Sequence, residues 1–407
     1  MQNDDLINDL LNDSNKISKS GVREIFTPHT PISNANYLKG RESELEKLFN
    51  QLITPGQHAL IYGERGIGKS SLAEIASSSL CTKIGFKRFV KRCSKSDSFA
   101  TIFEQPLANV GIKITNVNKS KTSSTSIGIK GFGANYESRK ESVGEDELAT
   151  NPSYVADKIA NTKGLLVIDE FDAIQNDNDK FKIAEVIKLL SDQKAQFKIL
   201  IVGIAESAKE LTVGHPSVSR CLIEIKVPRM KLSSLIQILI NGFNKLNLRT
   251  ANFVNSKIAI ASCGYPYFTH LLALKLAEKA ILLEMKTITV KDLEEVTSKA
   301  IEESEEFLRD LYEKSVDRIN REKYEKFLLA TATCRAEGFT NAEIRHRFKV
   351  MYNVEVKSSF VGSYLKNLAD ETGEKILKKT GRYHYRFSDP RMASFVKICR
   401  VYFPQEE

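Results

Sequence analysis

The sequence predicts an α/β protein: a parallel sheet flanked by helices, then a helical segment, then a small C-terminal module of helices and a hairpin. Three observations carry this reading. Short apolar runs of strand length alternate with helical spacings over residues 40–227, the pattern of a parallel sheet. From Lys231 to about residue 335 the pattern is almost wholly helical. After Gly338 capped helices give way to an alternating stretch around a Thr-Gly pair.

The elements follow in order. Residues 1–36 are rich in Asn, Asp and Ser and read as a flexible tail. LINDLL (6–11) within it is either a short docking peptide or part of a solvated end. GRESELEKLFNQL (40–52) carries apolar residues at 45, 48, 49 and 52, a helical spacing. HALIYG (58–63) reads as a buried strand, SSLAEIASSSL as a helix and KRFVKRC (87–93) as a second strand. Residues 95–150 read as an insertion, because NKSKTSSTS is poor in apolar residues and SIGIKGFGANYES alternates among glycines. A β-hairpin and a flexible excursion both fit it. KGLLVIDEFDAI (163–174) is a strand that runs directly into carboxylates. FKIAEVIKLLSDQ is a helix, and FKILIVGIA (197–205) and CLIEIKV (221–227) are further strands.

Composition bounds the function. The chain has 407 residues, enough for two or three domains of ~150 residues. Its 42% hydrophobic content supports a core of useful size. Lys and Arg number 60 against 51 Asp and Glu, a net charge of +9 that suggests an anionic partner. The six cysteines lie far apart and form no CxxC pair. They read as reduced thiols, so a cytoplasmic location is expected. The N-terminus is acidic and polar, unlike a signal peptide. No apolar stretch approaches the ~18 residues of a membrane span. Membrane, disulfide-scaffold and fibrous classes are thereby excluded.

The chemistry centres on Gly63-Glu64-Arg65-Gly66-Ile67-Gly68-Lys69-Ser70, a complete GxxxxGK[ST] loop between a strand and a helix. Its glycines let backbone N–H groups turn inward around phosphates. The helix that begins near Lys69 points its positive end at the same anions. Lys69 adds a charge for the β- and γ-phosphates, and the Ser70 hydroxyl suits Mg²⁺. About 100 residues later, Asp169 and Glu170 end an apolar strand. Ligands of open parallel sheets bind at that strand end. Asp169 is expected to hold the metal, and Glu170 to orient and deprotonate water. The expected cofactors are ATP and Mg²⁺.

These residues resemble the AAA+ ATPases of the initiator and archaeal-ATPase type, and their relatives the STAND signalling ATPases. The resemblance spans about residues 37–400. It implies a P-loop NTPase sheet at 37–228, a helical lid at 229–320 and a winged helix at 321–407. Gly63 to Ser70, with Ser71, matches the Walker A loop, and Asp169-Glu170 matches Walker B. Leu38-Lys39-Gly40-Arg41-Glu42 resembles the segment that lies against adenine, which makes Gly40 and Arg41 candidate binding residues. The end of FKILIVGIAES resembles sensor 1, with Glu206 or Ser207 where Asn or Thr is usual. His215-Pro216-Ser217-Val218-Ser219-Arg220 resembles the box of the arginine finger. Arg220 is then either a finger for a neighbouring subunit or a surface arginine that caps the strand. Gly264-Tyr265-Pro266 resembles the Gly-x-Pro of the STAND lid, which adds Pro266 to the binding set. The sensor 2 arginine common in AAA+ lids is missing. The resemblance also implies a homo-oligomer.

In the C-terminal module, KYEKFLLATATC reads as the first helix. Thr340 and Glu343 form a capping box for the second, and Ser358 begins the third. ILKKTGRYHYRFSD reads as the wing. Residues 321–407 hold 17 Lys and Arg against 11 Asp and Glu, a net of +6. Arg345, Arg347, Lys349, Lys357, Lys366, Lys378, Lys379 and Arg382 would meet phosphates of duplex DNA. His384 either senses nucleotide or faces solvent. Two functions stay open: an ATP-driven machine acting on DNA or a partner protein, and a STAND-like signalling or antiphage-defence switch with a regulatory winged helix. In either, a further effector protein is a candidate partner, and hydrolysis is expected to be slow and partner-stimulated.

Overall fold

The computed structural model describes residues 2–114, 148–205, 218–317 and 319–400. The chain begins with α1 (Gln2–Lys19) and α2 (Val22–Ile25). It then divides into two compact units. One comprises Arg41–Glu64 and Lys69–Pro228; the other comprises the residues up to Gly40, Arg65–Gly68, and the chain from Arg229 onward.

In the first unit, α3 (Glu42–Ile53) leads into β1 (His58–Gly63) and α4 (Lys69–Ile84) follows the loop. Then come β2 (Lys87–Arg92), α5 (Phe99–Asn109), α6 (Pro152–Ile159), β3 (Gly164–Asp169), α7 (Asp177–Asp192), β4 (Lys198–Ile204) and β5 (Leu222–Lys226). The five strands form one sheet in the order β2-β3-β4-β1-β5, all parallel. Strand β3 is buried at every position, as expected of a strand covered on both faces. The core joins Leu166, Ile168 and Ile199 of the sheet to Phe103, Ile159, Ile183 and Leu190 of the helices.

One expectation changes here. The insertion was expected from residue 95, yet α5 belongs to the core. Phe99, Ile102, Phe103 and Leu107 are buried, a helical spacing that the polar stretch downstream hides. The alternating SIGIKGFGANYES stretch lies outside the described residues.

The second unit contains α8 (Leu232–Lys245), β6 (Arg249–Thr250), α9 (Val254–Ala261), α10 (Pro266–Leu282), β7 (Thr287–Ile288), α11 (Val290–Glu302) and α12 (Glu306–Val316). Strands β6 and β7 pair in parallel within this otherwise helical segment. Next come α13 (Arg321–Ala332), α14 (Asn341–Tyr352) and α15 (Ser358–Leu368). The Thr340–Glu343 capping box forms as the sequence predicts. A three-stranded sheet of β8 (Ala369–Asp370), β9 (Leu377–Lys379) and β10 (Tyr385–Phe387) follows, with β9 and β10 antiparallel. Helix α16 (Met392–Cys399) ends the described chain.

The expected flexible tail is instead partly ordered. Ile17, Val22, Ile25 and Phe26 are buried. Phe26 lies over Gly242, where an added methyl would come within 2.4 Å of its ring. Thr27 N–H donates to His270 Nδ1 at 3.1 Å, and Arg23 pairs with Glu278. The anchoring residues belong to α8 and α10, far away in sequence, so no local pattern announces the docking.

Candidate functional site

The phosphate-loop motif forms between β1 and α4. Gly66 and Gly68 have φ of 77° and 94°, values that glycine adopts without a side-chain clash. Helix α4 has no acidic residue in its first turn, so no carboxylate of that turn competes for its positive end. Lys69 is buried, and its ammonium donates to the Glu64 carbonyl at 2.7 Å. Ser71 follows in the first turn of α4.

Strand β3 delivers the acidic pair. Asp169 is its last residue and is buried. One oxygen, Oδ1, accepts from the Ser70 hydroxyl at 3.2 Å and from the Glu170 N–H at 2.9 Å. Residues 99 apart in sequence therefore converge, with hydroxyl and carboxylate oxygens side by side. Such hard oxygen donors suit Mg²⁺. Glu170 is exposed and left-handed, at φ 56° and ψ 39°. A non-glycine residue there stores strain, a feature that clusters at functional sites. Cys93 N–H donates to the Asp169 carbonyl at 2.8 Å. Burial, with Asp97 nearby, pushes the Cys93 thiol up to about 12, so it stays protonated.

Arg41 is one of the two candidate residues before α3. It is buried, donates to the Pro228 carbonyl at 2.7 Å and pairs with Glu44 at 3.4 Å. Burial lowers its pKa. The guanidinium thus ties the start of α3 to the segment after β5. Gly40, at φ 67°, sits so close to Ser234 that a methyl would lie 2.3 Å from its hydroxyl oxygen. Arg220 ends the short turn Val218–Arg220 before β5 and is exposed. The sensor residues Glu206 and Ser207, and His215 to Ser217, lie outside the described residues. Pro266 opens α10 at its first position, which suits a residue without an N–H. Gly264 before it has φ 86°, and its carbonyl accepts from Met230 N–H at 2.9 Å.

The loop tip brings residues that the motif does not include. Arg65–Gly68 groups with the second unit. Arg65 pairs with Glu305 at 3.6 Å, and Glu305 pairs with Arg391 at 2.5 Å. Arg391 is 1% exposed and is also held by both oxygens of Asp389. These acids raise its pKa against the effect of burial. A methyl on Gly66 would lie 3.1 Å from Arg391 Cδ and 3.7 Å from Tyr267 Cβ; one on Gly68 would lie 3.9 Å from Pro266. Nothing in the local pattern around Arg391 or Glu305 singles them out.

Residues 53–211 match the family model described as an AAA domain. This stretch of the chain is similar to AAA domains. It holds the Walker-type loop and the Asp169-Glu170 pair. No curated protein matches the chain. The ORC2 protein of Aeropyrum pernix, solved as ADPNP–ADP complexes, is 16% identical over 93% of this chain and 98% of its own, at a TM-score of 0.50. The A. pernix ORC1 protein in complex with DNA is 15% identical over 94% of this chain and 97% of its own, at 0.49. The Walker-type ATPase of Pyrococcus abyssi is 16% identical over 92% and 99%, at 0.47. The chain has the P-loop NTPase fold, and the matched residues 53–211 include strands β1 to β4 of its parallel sheet. Among the described residues, no helix is long and apolar enough to cross a membrane.

Proposed function

We propose that the chain binds ATP with Mg²⁺, hydrolyses it slowly, and couples nucleotide state to self-assembly and to DNA or a partner protein. One observation carries the reading: the Ser70 hydroxyl of the loop donates to Asp169 Oδ1 at the end of β3, 99 residues away in sequence. Ser70 and Asp169 would hold the metal, which would neutralise charge on the phosphate oxygens. Lys69 would leave the Glu64 carbonyl for the phosphates. The exposed Glu170 carboxylate would take the proton of the attacking water. The fold likeness to the ORC2 protein, solved with ADPNP and ADP, supports an adenine nucleotide. The exposed Arg220 would meet transition-state charge in a neighbouring copy, so an isolated chain would turn over slowly.

The C-terminal module, read as a winged helix, would contact duplex phosphates through Arg345, Arg347, Lys357, Lys366 and Arg382, all exposed. Lys349 and Lys379 are paired with Glu355 and Glu371, which weakens their share. His384 is exposed, which favours its solvent-facing reading. A second reading, a regulatory module, is favoured by the Arg391 contact with the loop tip. The deciding experiment measures ATP binding and hydrolysis by the full chain, Lys69→Ala and Glu170→Gln. Loss of binding in the first, and binding without turnover in the second, is expected. Unchanged turnover by Glu170→Gln would overturn the assignment of the base. Duplex binding measured against salt separates the two readings of the module.

A further inference from the structure

We propose that Arg391 and Glu305 are positioning residues for the phosphate loop: they set the conformation of its tip, Arg65–Gly68, and so set nucleotide affinity from the C-terminal module. This rests on the nucleotide reading above. A cradle of inward N–H groups binds phosphate tightly only if its backbone is held in place before the ligand arrives. Gly66 and Gly68 give this loop freedom that other residues lack, so something else must restrain it. The restraint observed is a chain of contacts within the second unit. The Arg391 side chain covers Gly66, leaving 3.1 Å between Cδ and the site of a Gly66 methyl. Its guanidinium is fixed by Asp389 at 2.7 and 3.0 Å and by Glu305 at 2.5 Å. The second Glu305 oxygen reaches Arg65 at 3.6 Å. Glu305 thus bridges two arginines, one on the loop tip and one beside α16.

The two ends of this bridge differ in strength. Arg391 is fully buried and doubly paired, a fixed point that is costly to disturb. Arg65 is 60% exposed at the side chain, so its link to Glu305 is weak and easily exchanged. The buried end provides position, and the exposed end lets the tip adjust to a ligand. Ile67, at 1% exposed, anchors the tip a second time. Because coupling is reciprocal, a nucleotide that draws on the tip also biases the module that carries Arg391.

The test titrates the full-length chain with mant-ADP in Mg²⁺ buffer, using Arg65→Ala, Glu305→Gln, their double variant, Arg391→Lys and Arg391→Ala, with Lys69→Ala as control. Glu305→Gln is expected to weaken binding at least about fivefold, the lower range of site-to-site coupling. The double variant should bind no more weakly than Glu305→Gln alone, because both changes break the same bridge. Arg391→Lys should recover part of what Arg391→Ala loses. Should Arg391→Ala fail to fold, the Arg65 and Glu305 cycle still decides. Wild-type affinity in Glu305→Gln and Arg391→Lys, with binding abolished by Lys69→Ala, removes the positioning role and leaves the nucleotide reading standing. Additive losses in the double variant also remove it, since Arg65 would then act independently of Glu305. Failure of the unaltered chain to bind mant-ADP overturns the reading beneath both.

Discussion

Glu170→Gly should make the protein more stable and inactive at once. Glu170 sits at φ 56°, ψ 39° directly after Asp169. A residue with a Cβ in that region costs about 1–2 kcal/mol relative to right-handed backbone. Glycine removes this cost but gives up about 0.5–1 kcal/mol through its freer unfolded chain. The midpoints of these ranges leave a stabilisation of about 0.75 kcal/mol, or roughly 1.5–3 °C in melting midpoint for a unit of this size. Glu170→Gln keeps the strain and loses only the base, so its midpoint should match the wild type. Both variants should lose hydrolysis by about 100-fold or more, the usual share of a general base. The assays are calorimetry on the nucleotide-free chain and steady-state phosphate release. A Gly variant that melts at or below the wild-type temperature refutes the strain argument. One that melts higher and still turns over at the wild-type rate refutes the catalytic argument, because Glu170 would then be only a turn residue.

Three other outcomes follow from the geometry. Burial pushes His270 down to about 4 from ~6.5 in the unfolded chain. The unfolded state binds more protons between those values, so the stabilisation is complete above pH ~6.5 and is lost as pH falls towards ~4, in total ~3 kcal/mol. Protonated Nδ1 cannot accept from Thr27 N–H, so the protection factors of the Phe26 and Thr27 amides, corrected for the intrinsic pH dependence of exchange, should fall below pH 6.5; pH-independent protection there would contradict this. Gly242→Ala should release the same arm at neutral pH, because its methyl would lie 2.4 Å from the Phe26 ring; limited proteolysis near residues 20–27 reads this directly. Arg220→Ala should lower ATP turnover while mant-ADP affinity stays within about twofold; a loss of affinity instead would rule out action on a neighbour's transition state.

The legible parts of the fold are those with local signals. HALIYG, KGLLVID and FKILIVG are continuous apolar runs, and each forms a strand of the central sheet. The Thr340–Glu343 box is read from two side chains three residues apart. The order β2-β3-β4-β1-β5 is not written in any one strand, since it depends on which buried faces find each other. Strands β6 and β7 hold two residues each, too few for a period to show. The site divides in the same way. The spacing of Gly63, Lys69 and Ser70 reveals the loop, and a strand ending in Asp169-Glu170 reveals its partner. The left-handed backbone of Glu170 and the burial of Arg41 leave no trace in composition. Arg391 is least legible: its pairing with Glu305 spans 86 positions, and a lone Asp-Pro-Arg says nothing of burial.

The contact between Arg391 and the loop tip bears on both readings of the C-terminal module. A DNA-bound machine and a signalling switch share one requirement: the state of the phosphates must reach residues 321–400. A route needs a soft end at the ligand and a stiff end at the module. Arg65 and the two positive-φ glycines supply the first. The buried Arg391, pinned by Asp389 and Glu305, supplies the second. If nucleotide affinity changes when this bridge is cut, nucleotide binding biases the bridge by the same factor, and with it the module that carries Arg391. The two readings then differ only in the object of that bias. Duplex affinity that shifts with ADP, and loses the shift in Glu305→Gln, assigns the object as DNA. Duplex affinity that is indifferent to nucleotide, with the Glu305→Gln effect on mant-ADP intact, removes DNA as that object and leaves the regulatory reading.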